Sequence, residues 1–483
     1  MDVAATNGTV SALQEAVDAV VSGGGGNVYI PAGLFNYDLY QGSNMTGVEV
    51  PDSVNINIFG AGIGQTVLNT PITNWNYDLQ SGQCLMAIGG GLGGKIRLSG
   101  ITFKGSAKLV SGADDNRYLG GVNINRATDY RIDHCEFLDF VQYAAYVGWL
   151  SSGIIDHCII DNPYRDFCQP HDDNGYFYAL WGYGVMVIGD YTTWNPITSY
   201  LGKYGAGITY IEDNHFSRCR HSIASNGNSY YVSRHNIFDR SFYGNTDVHG
   251  NAGNGIGGRG MESYDNFFDL RDESYGDGQD AGHVLRGGGG VVCNNQIIFN
   301  SAFPNVPSVY LIRENNNPPY SIDDLYIWSN TAEDQNGNVI PFNNRIRNDG
   351  GFVENSDYYL RGPSQAQDGF IYMPYPYPHP LTINGGENEL GEVTFSGNIS
   401  GQIALGETVQ ITVTKPDLST EILTALTLAD KSFSTTKTYV IAGNYSAIAN
   451  IAADTGYGAA TSSSVPFVVG LASRTIVLNI SVA

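Results

Sequence analysis

Four stretches in the middle of the chain pair ionisable residues at similar places in short β-type runs: Arg220 with His221, Asp247 with His249, His283 with Arg286, and Arg313 alone. Arginine binds a carboxylate or sulfate through two parallel hydrogen bonds, and histidine takes up or delivers a proton near neutral pH. A lyase acting on a uronic acid needs both functions. A cation neutralises the carboxylate and acidifies the adjacent C5 proton, and a base removes it. Asp247 then orients His249 or holds the sugar. A single histidine in such a place is ordinarily a hydrogen-bonded surface or corner residue. Three histidines and three arginines in one column, in a chain with only 9 His, point instead to an active groove. Hydrolysis would need two carboxyl groups about 5–9 Å apart, for which Asp172, Asp173, Asp247 and Asp265 are available.

Two further stretches carry binding chemistry. Residues 162–205 are rich in aromatics, among them Trp181, Tyr183 and Trp194, and include His171, Asp172 and Asp173. Aromatic faces stack on sugar rings, and the alternative is that they pack a small core within the loop itself. Asp269, Asp272, Glu273, Asp277 and Asp280 form an acidic loop. Calcium takes several such oxygens, but the spacing is not that of an EF-hand, and a solvated turn is the alternative. Calcium is the only cofactor the sequence suggests.

The elements that must position these residues are repeats. Ile-Asp-His-Cys-Glu-Phe ends at Phe137, Ile-Asp-His-Cys-Ile-Ile at Ile160 and Glu-Asp-Asn-His-Phe at Phe216, with related phrases further on. They align Cys135, Cys158, Asn214, Asn236, Asn266, Asn295 and Asn330 at spacings of 23, 56, 22, 30, 29 and 35 residues. One short strand and one polar turn per repeat describe a solenoid whose coils bury their apolar sides on one another. The 56-residue step reads as a coil carrying an insertion. A second strand in each repeat aligns 121–125, 144–148, 184–188, 221–225, 247–250, 283–287 and 309–313, bringing the ionisable groups onto coils about 4.8 Å apart. If Val248 points inward, Asp247 and His249 both point out. Residues 9–22 have helical spacing at Leu13, Ala16, Val17 and Val20, with Ser11 as N-cap, and would cover the first coil.

These features resemble the pectate-lyase-like superfamily. The resemblance covers roughly residues 1–385: the capping helix, Gly-Gly-Gly-Gly-Asn-Val-Tyr-Ile-Pro-Ala-Gly at 23–33, Ile-Phe-Gly-Ala-Gly at 58–62, Leu-Ser-Gly-Ile-Thr-Phe at 98–103 and the Asn ladder. It implies an all-β fold, a right-handed parallel β-helix over about 28–361, in a superfamily of polysaccharide lyases, glycoside hydrolases, epimerases, esterases and phage tailspikes. The Asp clusters typical of pectate lyases, with their downstream Arg and Pro, are not recognisable. From 392 to 483 the sequence alternates Val, Ile, Thr and Ser in short runs without Cys or Trp, which predicts a small immunoglobulin-like β-sandwich as an accessory domain.

Composition narrows the partners. A net charge of -23 with only 24 Lys and Arg argues against nucleic acid. No apolar run approaches the length of a membrane span. The six cysteines form no metal-binding spacing, and a Cys168–Cys219 bridge is one option against small apolar filling. The expectation is therefore a secreted or cell-surface protein, its leader removed, that acts on a polysaccharide. A lyase for an acidic glycan is the leading reading. A glycoside hydrolase and a non-catalytic, tailspike-like glycan binder are the alternatives.

Overall fold

The computed structural model describes the chain apart from residues 1, 38–45, 71–82, 106–118, 141, 164–181, 191–192, 206, 242–243, 251–255, 272–280, 315–320, 384–391, 402–405, 416–418, 440–442, 454–457, 470–473 and 482–483. Among the described residues, sheets of twelve, eleven and ten strands wind together from Asp2–Ala4 to Tyr358–Tyr359. Nearly every strand pairs in parallel with its counterpart one coil on, so this part of the chain is the parallel β-helix that the repeats predict. One coil shows the pattern. Tyr143–Gly148 belongs to the ten-stranded sheet, Ser152–Asp156 to the twelve-stranded sheet and Ile159–Asp161 to the eleven-stranded sheet.

The turn between the last two sheets is held by the predicted ladder. Asn214 Nδ2 donates to Asn236 Oδ1 at 3.1 Å, Asn236 to Asn266 at 3.1 Å, Asn266 to Asn295 at 3.0 Å and Asn295 to Asn330 at 3.0 Å. Each Oδ1 also accepts the backbone N–H of the preceding coil's ladder residue, as Asn266 does from Asn236 at 2.9 Å. The residue before each ladder position is left-handed: His134, His157, Asp213, His235, Asp265, Asn294 and Ser329 have φ of 50° to 57°. Asn, Asp and His tolerate this region better than most residues, which explains the recurring Asp-His-Cys and Asp-Asn phrases. Inside, Phe216, Phe238 and Phe268 stack at 5.1 and 4.7 Å. They face a position kept small in the ten-stranded sheet: a Cβ on Gly184 would come within 2.9 Å of the Phe216 ring.

Helix α1 (Val10–Ser22) covers the first coil and buries Leu13, Ala16, Val17 and Val20, as their spacing predicts. It starts at Thr9 rather than Ser11, and Asn7 Oδ1 accepts the Thr9 N–H at 2.9 Å. The 162–205 segment is not one insertion. Strand Tyr183–Ile188 divides it and joins the ten-stranded sheet, while residues 193–205 fold toward the twelve-stranded sheet, where Tyr200 stacks on Tyr230 at 4.8 Å.

After the last coil the chain turns back along the outer face of the twelve-stranded sheet as a strap. Tyr372, Tyr375 and Leu381 pack there against Tyr210, Tyr230 and Tyr264. Beyond it, strands between Glu392 and Ser481 form two small sheets around Val393, Phe395, Val409, Ile411, Tyr445 and Phe467. Phe59 of the β-helix joins that core and Tyr29 packs against it, so the sandwich docks on the first coils. No helix among the described residues is long and apolar enough to cross a membrane.

Candidate functional site

The outer face of the ten-stranded sheet brings most of the aligned ionisable residues together, in a register that differs from the sequence alignment. Asp247 pairs with Ala224 on one side and Val284 on the other, while Thr246 pairs with Ile223 and His283. Ile223 and Val248 are core residues, so Asp247 and His249 point outward as parity requires. The same rule turns His283 inward. It is fully buried, accepts or donates a 2.7 Å hydrogen bond with Thr246 Oγ1 and lies edge-on to Phe268 at 4.7 Å. Burial pushes its pKa down to about 3. His283 is a neutral core residue and does not line the groove.

Asp247 is fully buried and receives both ends of the Arg286 fork, Nε at 2.9 Å and Nη2 at 2.7 Å. Burial alone would raise its pKa, but the Arg286 guanidinium holds it below the usual carboxylate range. The Arg286 Nη1 donates to Glu314. Burial opposes the charge on Arg286, and Asp247 and Glu314 keep it well above its ordinary value. This arginine is committed to two protein carboxylates. His249 reaches Gly250 O at 2.7 Å and Glu314 Oε2 at 3.2 Å, both through Nδ1. Among the described residues its Nε2 has no hydrogen-bond partner.

Beside this network, His221 stacks on Tyr183 at 5.6 Å, and the Arg220 guanidinium lies over the same ring at 5.6 Å. His221 Nδ1 is 3.0 Å from Gly244 O, which fixes its proton there, and burial lowers its pKa to about 3. His221 is therefore a neutral imidazole. Arg220 is the cation that borders the face. Tyr143, Tyr183 and Ala224 are buried along the sheet, and Tyr146 and Met186, packed against them, are partly exposed.

Other expected members lie elsewhere. Arg313 sits over Phe352 at 4.7 Å and donates to Gly350 O at 2.9 Å. Trp194 stacks on Arg259 at 4.8 Å, where the chain enters the twelve-stranded sheet rather than the ten-stranded one. Asp265 belongs to the left-handed column outside the Asn ladder, 3.9 Å from His235, and cannot pair with Asp247 for hydrolysis. Asp269 is paired with Arg271. His171, Asp172, Asp173, Trp181, Cys168, Asp272, Glu273, Asp277 and Asp280 lie outside the described residues. Among the described residues no cluster of His, Cys, Asp and Glu is arranged to hold a metal.

The sequence reading missed Glu314, although it directly follows Arg313 where a strand leaves the site sheet. It also missed a second buried charge cluster under the strap. There Arg234 pairs with Glu212 and donates to Tyr264 OH and to the carbonyls of Tyr375 and Pro376, at 2.7 to 3.0 Å for these last three. Glu262 accepts from Tyr372 OH at 2.6 Å, Gly202 N at 2.8 Å and Tyr230 OH at 3.1 Å.

No family model matches the chain. Mannuronan C5-epimerase AlgE5 of Azotobacter vinelandii is 24% identical to it over 234 residues, 46% of this chain and 23% of the epimerase. Alginate lyase 7 of the same organism is 27% identical over 135 residues, 28% of this chain and 15% of the lyase. The matched stretches thus span less than a quarter of these curated relatives. Among solved structures, an alginate lyase from Paenibacillus sp. str. FPU-7 aligns with 74% of this chain and 99% of its own, at 14% identity and a TM-score of 0.44.

Proposed function

We propose that this chain is a polysaccharide-active enzyme that removes the C5 proton of a uronic acid residue and cleaves the glycan by β-elimination. The observation that carries this reading is His249, tied down through Nδ1 beside Glu314 and with no partner for its other nitrogen among the described residues. Arg220, over Tyr183, is the cation that would neutralise the sugar carboxylate and so acidify the C5 proton. Asp247, Arg286 and Glu314 are positioning residues, since they act on the sugar only through the placement of His249. Tyr146 and Met186 supply the surface on which rings lie.

The curated relatives, named as alginate lyase and mannuronan epimerases, support an acidic glycan as substrate. They also favour a second outcome from the same proton abstraction. If the carbanion is reprotonated from the opposite face before the 4-linked oxygen departs, the product is an epimerised chain of unchanged length. The sandwich is proposed to be an immunoglobulin-like accessory domain, and secretion follows from a polymeric glycan substrate.

Incubation with polymannuronate, polyguluronate and polygalacturonate separates these readings. Elimination gives ultraviolet-absorbing unsaturated ends, and epimerisation in deuterated water gives C5 deuteration without shortening. New reducing ends without ultraviolet absorption would make the protein a hydrolase and overturn the proposal.

A further inference from the structure

A second cleft lies on the same sheet face, toward the N-terminal end of the solenoid. It encloses about 510 Å³ between helix α1 and the turns that follow strands Leu119–Asn125 and Tyr143–Gly148. Glu49, Pro51, Gly89, Gly90, Asn125 and Trp149 are among the residues that line it. The Trp149 indole is 40% exposed, a large aromatic surface left toward solvent, and Arg126 lies over it at 5.9 Å. Trp149 and Leu150 are both left-handed, with φ of 53° and 63°, a conformation that bulky residues rarely adopt in succession. On the helix side Gln14 is locked in place. Its Nε2 donates to Asp18 Oδ1 at 2.9 Å and to Glu49 O at 3.0 Å, and its Oε1 accepts the Glu49 N–H at 2.8 Å. Asp18 and Glu49 are exposed at the rim.

We infer that this cleft is a glycan subsite for a neutral sugar residue, with Trp149 as the stacking platform and the carboxylates of Asp18 and Glu49 as acceptors for sugar hydroxyls. Two carboxylates against one arginine give the cleft a negative balance, which disfavours a uronate and suits a ring that brings only hydroxyl groups. Register places the Trp149 turn three coils before that of Gly250, about 14 Å away along the sheet. A pyranose repeat is about as long as one coil spacing, so a glycan lying along the face reaches both places. The inference rests on the glycan reading above for that path. It then defines the substrate more narrowly, as a heteropolysaccharide whose uronate is processed near His249 while a neutral residue is held at Trp149.

Calorimetric titration of the full chain with cellohexaose, mannohexaose, xylohexaose and a mannuronate hexamer tests this. At least one neutral hexaose should bind, Trp149→Ala should weaken it about tenfold, and His249→Ala should leave it unchanged. Asp18→Lys combined with Glu49→Lys, both surface changes, should shift preference toward the mannuronate hexamer. Absence of neutral hexaose binding, or binding indifferent to Trp149 and to the charge reversal, would overturn the inference. Titration needs no turnover, so Trp149-dependent binding with no uronate polymer ever modified would leave the subsite standing and remove the catalytic reading.

Discussion

Two outer faces of the same solenoid carry a fully buried carboxylate paired with arginine, and they behave in opposite ways. Under the strap, burial outweighs Arg234 and lifts Glu212 above its ordinary pKa. On the ten-stranded sheet, burial is outweighed by Arg286 and Asp247 stays below its own. The difference follows from how each guanidinium is shared. Arg234 divides its donors among Glu212, a tyrosine hydroxyl and two strap carbonyls, whereas Arg286 gives a complete fork to Asp247. Buried charge therefore does not by itself locate a site. The strap satisfies the first cluster with protein atoms, and the second ends in His249, whose Nε2 has no partner among the described residues.

The largest effect should separate the two faces by activity. His249→Ala is expected to lower turnover on the preferred uronate polymer by about two to four orders of magnitude with little change in melting temperature. Near-normal turnover would break the assignment of that face. The next effect is on stability. Arg234→Met leaves Glu212 buried without its partner and should cost about 3–5 kcal/mol in chemical denaturation, while the folded fraction keeps its specific activity. Asp247→Ala should lose both stability and activity, because it leaves the buried Arg286 with Glu314 as its one carboxylate and loosens the support of His249.

A smaller effect depends on pH. Burial raises the pKa of Glu262 from 4.5 to about 7, ahead of the hydrogen bonds that oppose the rise. Its folded pKa lies above the unfolded one, so the stability it contributes is complete below about pH 4.5 and is lost as pH rises through about 7. Glu262→Gln keeps the neutral shape and should raise the melting temperature above pH 7 while changing little at pH 4. An equal shift at both pH values would mean that Glu262 does not titrate in this window. The smallest effect belongs to Arg313→Ala, expected to alter stability by no more than about 0.5–1 kcal/mol and turnover hardly at all, since the side chain is held by the Phe352 ring and Gly350 O.

The β-helix was legible because its turns repeat a chemistry. An Asn amide must serve the next coil, and the residue before it must accept a left-handed backbone, so both leave a trace in the sequence. Asp247 and His249 were legible for a similar reason, since Val248 between them fixes the parity. His283 was misread because aligning it with Asp247 shifts the register by one residue, which exchanges the inside of the sheet for the outside. The pairing of Arg286 with Glu314 left no trace in the sequence, because Glu314 comes from a coil further along and only the fold brings them together. Trp194 could not be assigned from aromatic content alone. Its ring is held by Arg259, which is 65 residues away in sequence.

Hydroxyl-radical footprinting of the full chain, with and without a saturating uronate oligomer and using the His249→Ala variant to prevent turnover, tests the central claim most directly. The account predicts protection of Tyr146 and Met186 on the ten-stranded face and unchanged oxidation of Tyr372, Tyr375 and Tyr377 in the strap. Protection confined to the strap tyrosines, with Tyr146 and Met186 as reactive as before, would contradict it.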